Sequence, residues 1–400
     1  MKILLVHNSY QQHGGEDVVF QQEKQLLQGG GHEVITYEKK NEDALQEADS
    51  SKVLVGVRTI WAVSSRKEFR SILRQHRPDI VHVHNTFVMI SPSIYSACKE
   101  EGVPVVQTLH NYRLICPAAT LFRDGRICEE CVGGGIWRGV LHGCYRDSRA
   151  ATAVVALMLT THRLLGTWEH LIDHYIALTE FARQKFVAAG LPEEKISVKP
   201  NFVPSDPGER SALGHFALFV GSLCDAKGVW TLVHAWQANR LSIPLRIVGD
   251  GPLKEELVSF AQRNQLSNVS FTGQLPHYRV LNLMKKARCL IFPSEWYEPF
   301  GLTLLEAFAC GLPVISSGIE SLRELVRPED TGLVFNAGNS QDLADKVRWA
   351  WDHPAEMRAI GKNARAEYRL KYTAEQNYES LIKIYERTLH ARSMEHQLTA

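Results

Sequence analysis

Short apolar runs recur along the whole chain, and stretches with helical spacing of apolar residues separate them. The strand candidates are Lys2–His7, Val34–Tyr37, Ile80–His84, Val105–Leu109, Ile176–Leu178, Phe216–Val220, Leu245–Val248, Val269–Phe271, Leu290–Phe292 and Val314–Ser316. Uninterrupted apolar runs are typical of parallel strands that are buried on both faces. Their alternation with helices predicts an α/β protein whose parallel sheets are covered by helices.

The chain has 400 residues, a length that suits about two domains. A polar connector that contains Pro200, Pro204 and Pro207 runs from Lys199 to Pro207 and is typical of a domain boundary. After residue 373, Tyr378, Leu381, Ile382, Tyr385 and Leu389 have helical spacing. We expect a first domain over residues 1–203 with a cysteine-rich insert at 116–145, a second domain over 208–372, and a helix within 373–400 that crosses back to the first domain.

The charge balance argues against a nucleic-acid partner. Lys and Arg number 45 against 44 Asp and Glu, whereas nucleic-acid binders usually carry a basic excess. The amino terminus lacks a signal-peptide pattern, and the longest other apolar stretch, Ala150–Leu159, is far shorter than the ~20 residues of a membrane span. We therefore expect a cytoplasmic enzyme.

One basic stretch, Arg66–Arg77, has apolar residues at helical spacing. It is a candidate for contact with anionic lipid or a lipid-diphosphate acceptor, peripherally at the inner face of the plasma membrane. The favoured interpretation is a solvated helix face over an apolar stripe.

The most informative segment is SEWYEPFGLTLLEAFACGLPVISS, residues 294–317. Gly301 precedes a predicted helix, Leu302–Ala309, that starts shortly after a strand. The amino end of such a helix offers free N–H groups and a positive dipole to an anion, and glycine allows close approach. Glu298 and Glu306 flank that end, where carboxylates accept hydrogen bonds from sugar hydroxyls. The alternative is an ordinary helix with solvated glutamates.

The two glutamates within EPFGLTLLEAFACGLPVI resemble those of the retaining glycosyltransferases of family four. Other matching features follow in order along the chain: Gly14-Gly15, Gly31–Val34, His110 after a strand, Asn201 after Pro200, Gly221 through Lys227-Gly228, and Gly249–Pro252. The resemblance implies the GT-B fold, in which two Rossmann-like, doubly wound domains face each other across a cleft. It also implies a nucleoside-diphosphate-sugar donor held mainly by the second domain, and retention of anomeric configuration.

Site roles follow from this resemblance. His110, Lys227 and Glu298 are the expected catalytic residues. The expected donor-binding residues are Gly14, Gly15, Asn201, Ser222, Lys227, Gly249, Phe300, Gly301, Leu302, Thr303 and Glu306. Lys227 would neutralise the diphosphate, Glu298 would bind the donor sugar, Glu306 the ribose, and His110 would donate to a hydroxyl.

Each of these roles has a structural alternative. A lone lysine is usually a solvated surface residue, and His110 could be a satisfied core histidine, as we expect for His82 and His84. Glu16 and Asp17 either bind acceptor hydroxyls or cap a helix. Family members commonly carry an arginine where this chain has Ser222, and Arg113 is a candidate replacement.

The expected chemistry needs no catalytic metal, because the chain lacks the Asp-x-Asp pair that often holds one in the other large glycosyltransferase fold. By family habit a UDP-sugar is favoured over GDP-mannose. The expected acceptor is a glycan or a lipid-linked sugar in polysaccharide or glycolipid biosynthesis. A sugar-nucleotide epimerase of the same fold and a non-catalytic nucleotide-sugar-binding protein are the alternatives.

The cysteine-rich insert is a candidate metal site. Cys116, Cys128, Cys131 and Cys144 lie within it, and Cys128 and Cys131 form a Cys-x-x-Cys pair. Four thiolates suit a structural zinc ion. Free buried thiols and an iron–sulfur site are the alternatives.

Overall fold

The computed structural model describes residues 1–9, 14–41 and 52–399. The chain divides into two compact units. Unit 1 comprises Met1–Leu121, Cys128–Pro200 and Asn377–Ala400, and unit 2 comprises Phe122–Ile127 and Asn201–Gln376. The division between Pro200 and Asn201 lies within the proline-rich connector. The end of the chain, from Asn377, belongs to unit 1.

Unit 1 contains a parallel six-stranded sheet of order β2-β1-β3-β4-β7-β8. Its strands are β1 (Lys2–Ser9), β2 (Glu33–Lys40), β3 (Ile80–Val83), β4 (Val105–Leu109), β7 (His174–Ala177) and β8 (Ile196–Val198). A separate antiparallel hairpin consists of β5 (Phe122–Arg123) and β6 (Arg126–Ile127). Every residue of β3 and β4 is buried, as the uninterrupted apolar runs predict.

The helices of unit 1 that come before the proline-rich connector lie between these strands in the chain. They are α1 (Gly15–Gly29), α2 (Lys52–Ile60), α3 (Val63–His76), α4 (Ser93–Glu100), α5 (Trp137–His142), α6 (Arg149–Leu164), α7 (Thr167–His170) and α8 (Glu180–Ala188), with a 3-10 helix at Glu193–Lys195.

Unit 2 contains a second parallel six-stranded sheet, of order β11-β10-β9-β12-β13-β14. Its strands are β9 (Ala217–Val220), β10 (Leu245–Val248), β11 (Val269–Gly273), β12 (Cys289–Phe292), β13 (Val314–Ser317) and β14 (Gly332–Phe335). Its helices are α9 (Val229–Ala238), α10 (Lys254–Arg263), α11 (His277–Lys286), α12 (Leu302–Ala309), α13 (Ser340–Asp352) and α14 (Pro354–Lys371), with 3-10 helices at Asp225–Lys227 and Glu320–Leu322.

The last helix, α15 (Ala374–Thr399), contributes Leu381, Ile384 and Tyr385 to the apolar core of unit 1. Those side chains pack with residues of the sheet such as Ile3 and Val106. The helix extends ten residues beyond the Leu389 limit of the apolar periodicity. Its apolar stripe therefore completes a core that starts near residue 3.

The two doubly wound α/β domains expected from the pattern are confirmed, because each predicted strand overlaps a strand of one of the two sheets. The strand predicted at Ile176–Leu178 starts two residues earlier, at His174, and ends one residue earlier, at Ala177. The pattern missed β8, β14 and the β5–β6 hairpin. None of the helices in the described residues is long and apolar enough to span a bilayer.

The basic stretch around α3 is paired with acids. Arg66 and Arg70 bind Glu100, and Arg70 and Arg74 bind Glu101 at the end of α4. Since these acids offset much of the positive charge, the geometry favours the solvated-helix interpretation. Lipid contact stays a prediction.

Candidate functional site

The amino end of α12 lies just beyond the carboxyl end of β12, where ligands bind in open α/β sheets. Gly301 precedes the helix with φ 84° and ψ 68°, a left-handed conformation that favours glycine. A Cβ on Gly301 would lie 3.2 Å from Leu304 Cδ1 and 3.3 Å from Phe292 Cζ. Leu304, Leu305 and Phe308 are fully buried, so packing fixes the direction in which the helix presents its first N–H groups.

Glu298 lies just before this helix end and is 6% exposed. Lys227 Nζ donates to both carboxylate oxygens at 2.8 Å. Trp296 Nε1 and Ser294 Oγ donate to Oε2 at 2.8 and 3.1 Å. The carboxylate is therefore held in place by one cation and two neutral donors.

Lys227 reaches Glu298 because two loops that are distant in the chain meet. It ends the 3-10 helix after β9, and Gly228 follows with φ 64°. A Cβ on Gly228 would lie 1.8 Å from the carbonyl oxygen of Pro293, so glycine is required for this close approach. The expected catalytic residues Lys227 and Glu298 thus form an ion pair with each other, where the sequence assigned Lys227 to a diphosphate.

Glu306 lies one turn inside α12 and is paired with His277, whose Nε2 is 2.7 Å from Glu306 Oε1. This hydrogen bond to the carboxylate raises the pKa of His277 above its usual value. His277 is the first residue of α11, and sequence reasoning did not select it. A lone histidine at a helix start carries no pattern that separates it from a surface residue.

Two glycines shape the loop after β10. Gly249 has φ 141°, and a Cβ there would lie 1.9 Å from the carbonyl oxygen of Gly221. A Cβ on Gly251 would lie 2.6 Å from the carbonyl oxygen of Leu223. Both contacts bring the loop after β10 against the loop after β9, which carries Ser222 and Lys227.

The other predicted donor residues of unit 2 have varied surroundings. Ser222 is exposed. Phe300 is buried, and its ring centroid lies 6.2 Å from that of Tyr372. Thr303 and Leu302 are partly buried at the start of α12. Asn201 is buried, and its Oδ1 lacks a hydrogen-bond partner among the described residues.

Arg113, the candidate replacement for the missing arginine, belongs to unit 1. Its guanidinium lies 4.4 Å from the ring centroid of Phe87 and 5.1 Å from that of Tyr145. It also donates to the carbonyl oxygen of Pro117. These contacts hold the side chain within the insert region.

The Gly14-Gly15 loop leads into α1. Gly14 is the N-cap and Gly15 the first helical residue. Asp17 accepts from the Gly14 N–H at 2.8 Å and bonds to His7 Nε2 at 2.9 Å. Of the two roles open for Asp17, the structure shows the capping role.

Glu16 has a different environment from its neighbour Asp17. Asn111 Nδ2 donates to Glu16 Oε2 at 3.0 Å, whereas Oε1 is buried and meets no hydrogen-bond partner within residues 1–9, 14–41 and 52–399. Burial, and secondly the Asp17 charge, raise the pKa of Glu16 to about 8. Glu16 therefore remains a candidate for contact with a hydroxyl.

His110 follows β4 and is 8% exposed. Its Nε2 lies 2.9 Å from His84 Nδ1, and the two rings stack with centroids 5.1 Å apart. Burial lowers the pKa of both histidines well below the usual value, so both rings are neutral. His82 and His84 are both buried in β3 and just after it, with ring centroids 4.4 Å apart.

Within the part of the chain that the structure describes, the four cysteines of the insert form no disulfide; Cys116 is buried and the other three are partly buried. Burial, and then the charges of Cys116, Cys144 and Cys128, raise the pKa of Cys131 to about 11. Among the described residues, the trio whose ligand atoms all lie within 4.8 Å of one another is Glu23, His82 and His84. The thiols are neighbours without the compact spacing of a tetrahedral site, and zinc stays a prediction.

Curated relatives cover part of the chain. The D-rhamnosyltransferase WbpZ of Pseudomonas aeruginosa is 36% identical over 168 residues, which are 41% of this chain and 44% of that protein. The O-antigen chain mannosyltransferase C of Escherichia coli is 33% identical over 181 residues, 45% of this chain and 48% of that protein. In these matches the chain spans about half the length of the curated relatives.

Solved structures share the fold over nearly all of the chain. Anabaena Alr3699/HepE in complex with UDP has a TM-score of 0.71 at 18% identity and covers 97% of this chain and 100% of that one. Sucrose-phosphate synthase from Thermosynechococcus elongatus has a TM-score of 0.70 at 18% identity, with 98% and 99% covered.

Two family models divide the chain at its connector. Residues 13–206 match the model described as Glycosyltransferase Family 4. Residues 212–367 match the model described as Glycosyl transferases group 1. The chain therefore belongs to the family-four glycosyltransferases of GT-B fold.

Proposed function

We propose that this protein transfers a sugar from a nucleoside-diphosphate sugar to an acceptor, with retention of anomeric configuration and without a catalytic metal. The observation that carries the proposal is the arrangement before α12: a left-handed glycine, a helix amino end, and a Lys227–Glu298 ion pair at the carboxyl end of a parallel sheet. This arrangement combines an anion-binding element, a cation and a carboxylate.

The donor diphosphate lies against the first N–H groups of α12 in this proposal. A diphosphate and Glu298 would compete for Lys227, because the lysine has three donors and a single positive charge. Lys227 is 22% exposed, so its ammonium can be shared with an incoming anion. As the leaving phosphate gains charge in the transition state, the lysine and the helix end stabilise it.

The two carboxylates bind hydroxyls rather than phosphates in this proposal. Glu298 contacts the donor sugar and Glu306 the ribose. Gly249, Ser222 and Asn201 complete the donor contacts in unit 2, and Gly14-Gly15 and His110 belong to unit 1. The acceptor hydroxyl attacks on the face from which the diphosphate leaves, and the departing phosphate takes its proton.

The choice of donor and acceptor draws on the relatives. The Anabaena protein has been crystallised with UDP-glucose, which supports a UDP-sugar. The relatives named for mannose and rhamnose transfer keep GDP-linked sugars such as GDP-mannose in the screen. The relative named as an O-antigen chain mannosyltransferase supports a glycan or lipid-linked acceptor in polysaccharide or glycolipid assembly. We propose that the enzyme acts in the cytoplasm, with peripheral membrane contact where the acceptor is lipid-linked.

A donor screen tests the proposal directly. UDP- and GDP-sugars are incubated with the purified protein, with and without a panel of glycan acceptors, and released nucleoside diphosphate is measured. We expect acceptor-dependent release from at least one donor, and an NMR spectrum showing the donor's anomeric configuration in the product. Epimerised donor without release would support the epimerase alternative. Donor binding without either product would contradict catalysis.

A structural zinc ion in the insert is a separate proposal. Cys116, Cys128, Cys131 and Cys144 would hold the ion as thiolates, and the ion would stabilise the insert by cross-linking it. Metal analysis of the purified protein should find one zinc per chain, lost in Cys131→Ser and kept in the matched control Cys224→Ser. Absence of zinc, or iron in its place, would contradict the proposal.

A further inference from the structure

A chain of polar side chains crosses the interior of unit 1 and ends at His110. Lys199 Nζ is 2.5 Å from Glu23 Oε1, and both side chains are fully buried. Glu23 Oε2 is 3.4 Å from His84 Nε2, and His84 Nδ1 is 2.9 Å from His110 Nε2. These contacts link a buried ion pair to a histidine expected at the catalytic site.

Glu23, His82 and His84 have ligand atoms close enough to suggest a metal site, but their contacts argue against one. Lys199 already supplies a positive charge to Glu23. Both ring nitrogens of His82 are engaged, Nδ1 with Tyr385 and Nε2 with Thr108, at 2.7 Å each. The group is therefore a hydrogen-bonded network with an internal cation.

The ion pair determines where His84 carries its proton. An ionised carboxylate only accepts hydrogen bonds. Glu23 Oε2 and His84 Nε2 are both buried and 3.4 Å apart, and neither atom has a hydrogen-bond partner among the described residues, so their contact is close but lacks hydrogen-bond geometry. Two lone pairs facing each other in a buried site would repel, so the proton of His84 lies on Nε2, directed at Glu23. His84 Nδ1 is then an acceptor.

The position of the His84 proton determines the position of the proton on His110. Because His84 Nδ1 accepts, His110 Nε2 must carry the proton of the 2.9 Å contact. Burial keeps both imidazoles neutral by lowering their pKa values, so each has one proton. His110 Nδ1 is left with a lone pair, and none of the described residues hydrogen-bonds to it.

We propose that Glu23 and His84 are positioning residues that fix His110 in the tautomer protonated on Nε2, so that its Nδ1 accepts a hydrogen bond from a substrate hydroxyl. This reverses the donor role that the sequence suggested for His110. The assignment to a substrate hydroxyl rests on the proposed sugar transfer, whereas the tautomer is a property of the free protein.

The tautomers can be measured on the full chain labelled with 15N-histidine. Long-range 1H–15N spectra distinguish the protonated ring nitrogen from the bare one, and His84→Gln and His110→Gln assign the signals. We expect protonated Nε2 and bare Nδ1 in both His84 and His110. A protonated Nδ1 on His110 in the wild-type protein would overturn the proposal.

Glu23→Gln gives a second measurement with an inverted outcome. Lys199 has only donors, so the amide oxygen faces Lys199 and the amide NH₂ faces His84 Nε2. His84 must then accept there and donate from Nδ1, and His110 must accept on Nε2 and carry its proton on Nδ1. We expect the protonated and bare signals of both rings to exchange, whereas the exposed control Glu33→Gln leaves them unchanged.

The two measurements distinguish a failure of the tautomer proposal from a failure of the proposed sugar transfer. Unchanged tautomers in folded Glu23→Gln would contradict the relay. If Glu23→Gln does not fold, the wild-type spectrum still decides. If the tautomers are as expected but no donor is turned over, the proposed function fails while the relay stands.

Discussion

Two of the lysine–glutamate ion pairs in the described residues have similar lengths and different environments. In unit 1, Lys199 and Glu23 are 2.5 Å apart and neither is exposed. In unit 2, Lys227 and Glu298 are 2.8 Å apart, with side chains 22% and 8% exposed. The same pair of residue types therefore lies in a sealed core in one case and at the edge of a sheet in the other.

The difference in exposure separates a structural role from a ligand-binding one. Lys199 is also within 3.2 Å of Asn377 Oδ1, so its ammonium is bonded to groups of the protein interior. Lys227 lies beside a helix amino end and retains access to solvent. The lysine of a solvent-accessible pair can exchange its glutamate for an incoming anion. The lysine of a fully buried pair can only orient neighbouring groups of the protein.

The largest expected effect comes from breaking the sealed pair. Glu23→Leu leaves the Lys199 ammonium buried without a counter-charge, and such losses cost about 3–5 kcal/mol. Urea unfolding should show a lower free energy of unfolding by this amount. If the free energy of unfolding fell by less than about 1 kcal/mol, the Lys199–Glu23 pair would behave like a surface ion pair. The two pairs would then not differ in the way that we propose.

Lys227→Met tests the exposed pair. It removes the cation that stabilises charge on the leaving phosphate, so kcat/KM for transfer should fall by about 10²–10³. The free energy of unfolding should fall by less than the roughly 3–5 kcal/mol expected at the sealed pair, because Trp296 and Ser294 still donate to Glu298. The matched control is Lys371→Met, which removes a half-exposed lysine from its i,i+4 pair with the buried Glu367 and should leave transfer unchanged. Equal losses in both variants would contradict the assignment.

Glu298→Gln tests the exposed pair from its other side, because it keeps the shape of the side chain and removes the negative charge. The carboxylate holds Lys227 when no donor is bound, so its loss should leave UDP binding equal or tighter in calorimetry. Turnover should still fall by roughly 10²-fold, since the contact with the reacting sugar is altered. Weaker UDP binding with normal turnover would contradict the role of Glu298.

The sequence predicted helix bounds best where glycine or proline residues mark the start and the end of a helix. The bounds of α12 match the prediction because Gly301 precedes the helix and Gly311 and Pro313 stop it. The two-residue strands of the hairpin, Phe122–Arg123 and Arg126–Ile127, are too short to show an alternating pattern. The four-residue β14 was missed despite its apolar run.

The contacts of the candidate site were not predictable from spacing. Lys227 and Glu298 are 71 positions apart, and no local sequence pattern predicts that their loops are in contact. His84 and His110 are 26 positions apart, and their contact follows from the adjacency of β3 and β4 in the sheet. The sequence could predict which residue types lie at the strand ends. It could not predict their ion-pair and hydrogen-bond partners, because these depend on the tertiary fold.

The smallest expected effect concerns His277 and Glu306. Because Glu306 raises the pKa of His277, the pair stabilises the fold fully below pH 6.5 and loses this contribution as pH rises through the raised pKa. His277 is 58% exposed, so the contribution is at most about 1 kcal/mol. The difference in unfolding free energy between wild type and His277→Ala should be larger at pH 6 than at pH 9. A difference independent of pH would mean that the pair has no charge component.

A crystal structure with UDP shows where the diphosphate binds, and we propose that it binds at the amino end of α12. We expect phosphate oxygens within hydrogen-bonding distance of the N–H groups of Leu302 or Thr303 and of Lys227 Nζ, with Glu306 at the ribose. UDP bound at another place, with the Lys227–Glu298 pair unchanged and both glutamates facing solvent, would contradict it.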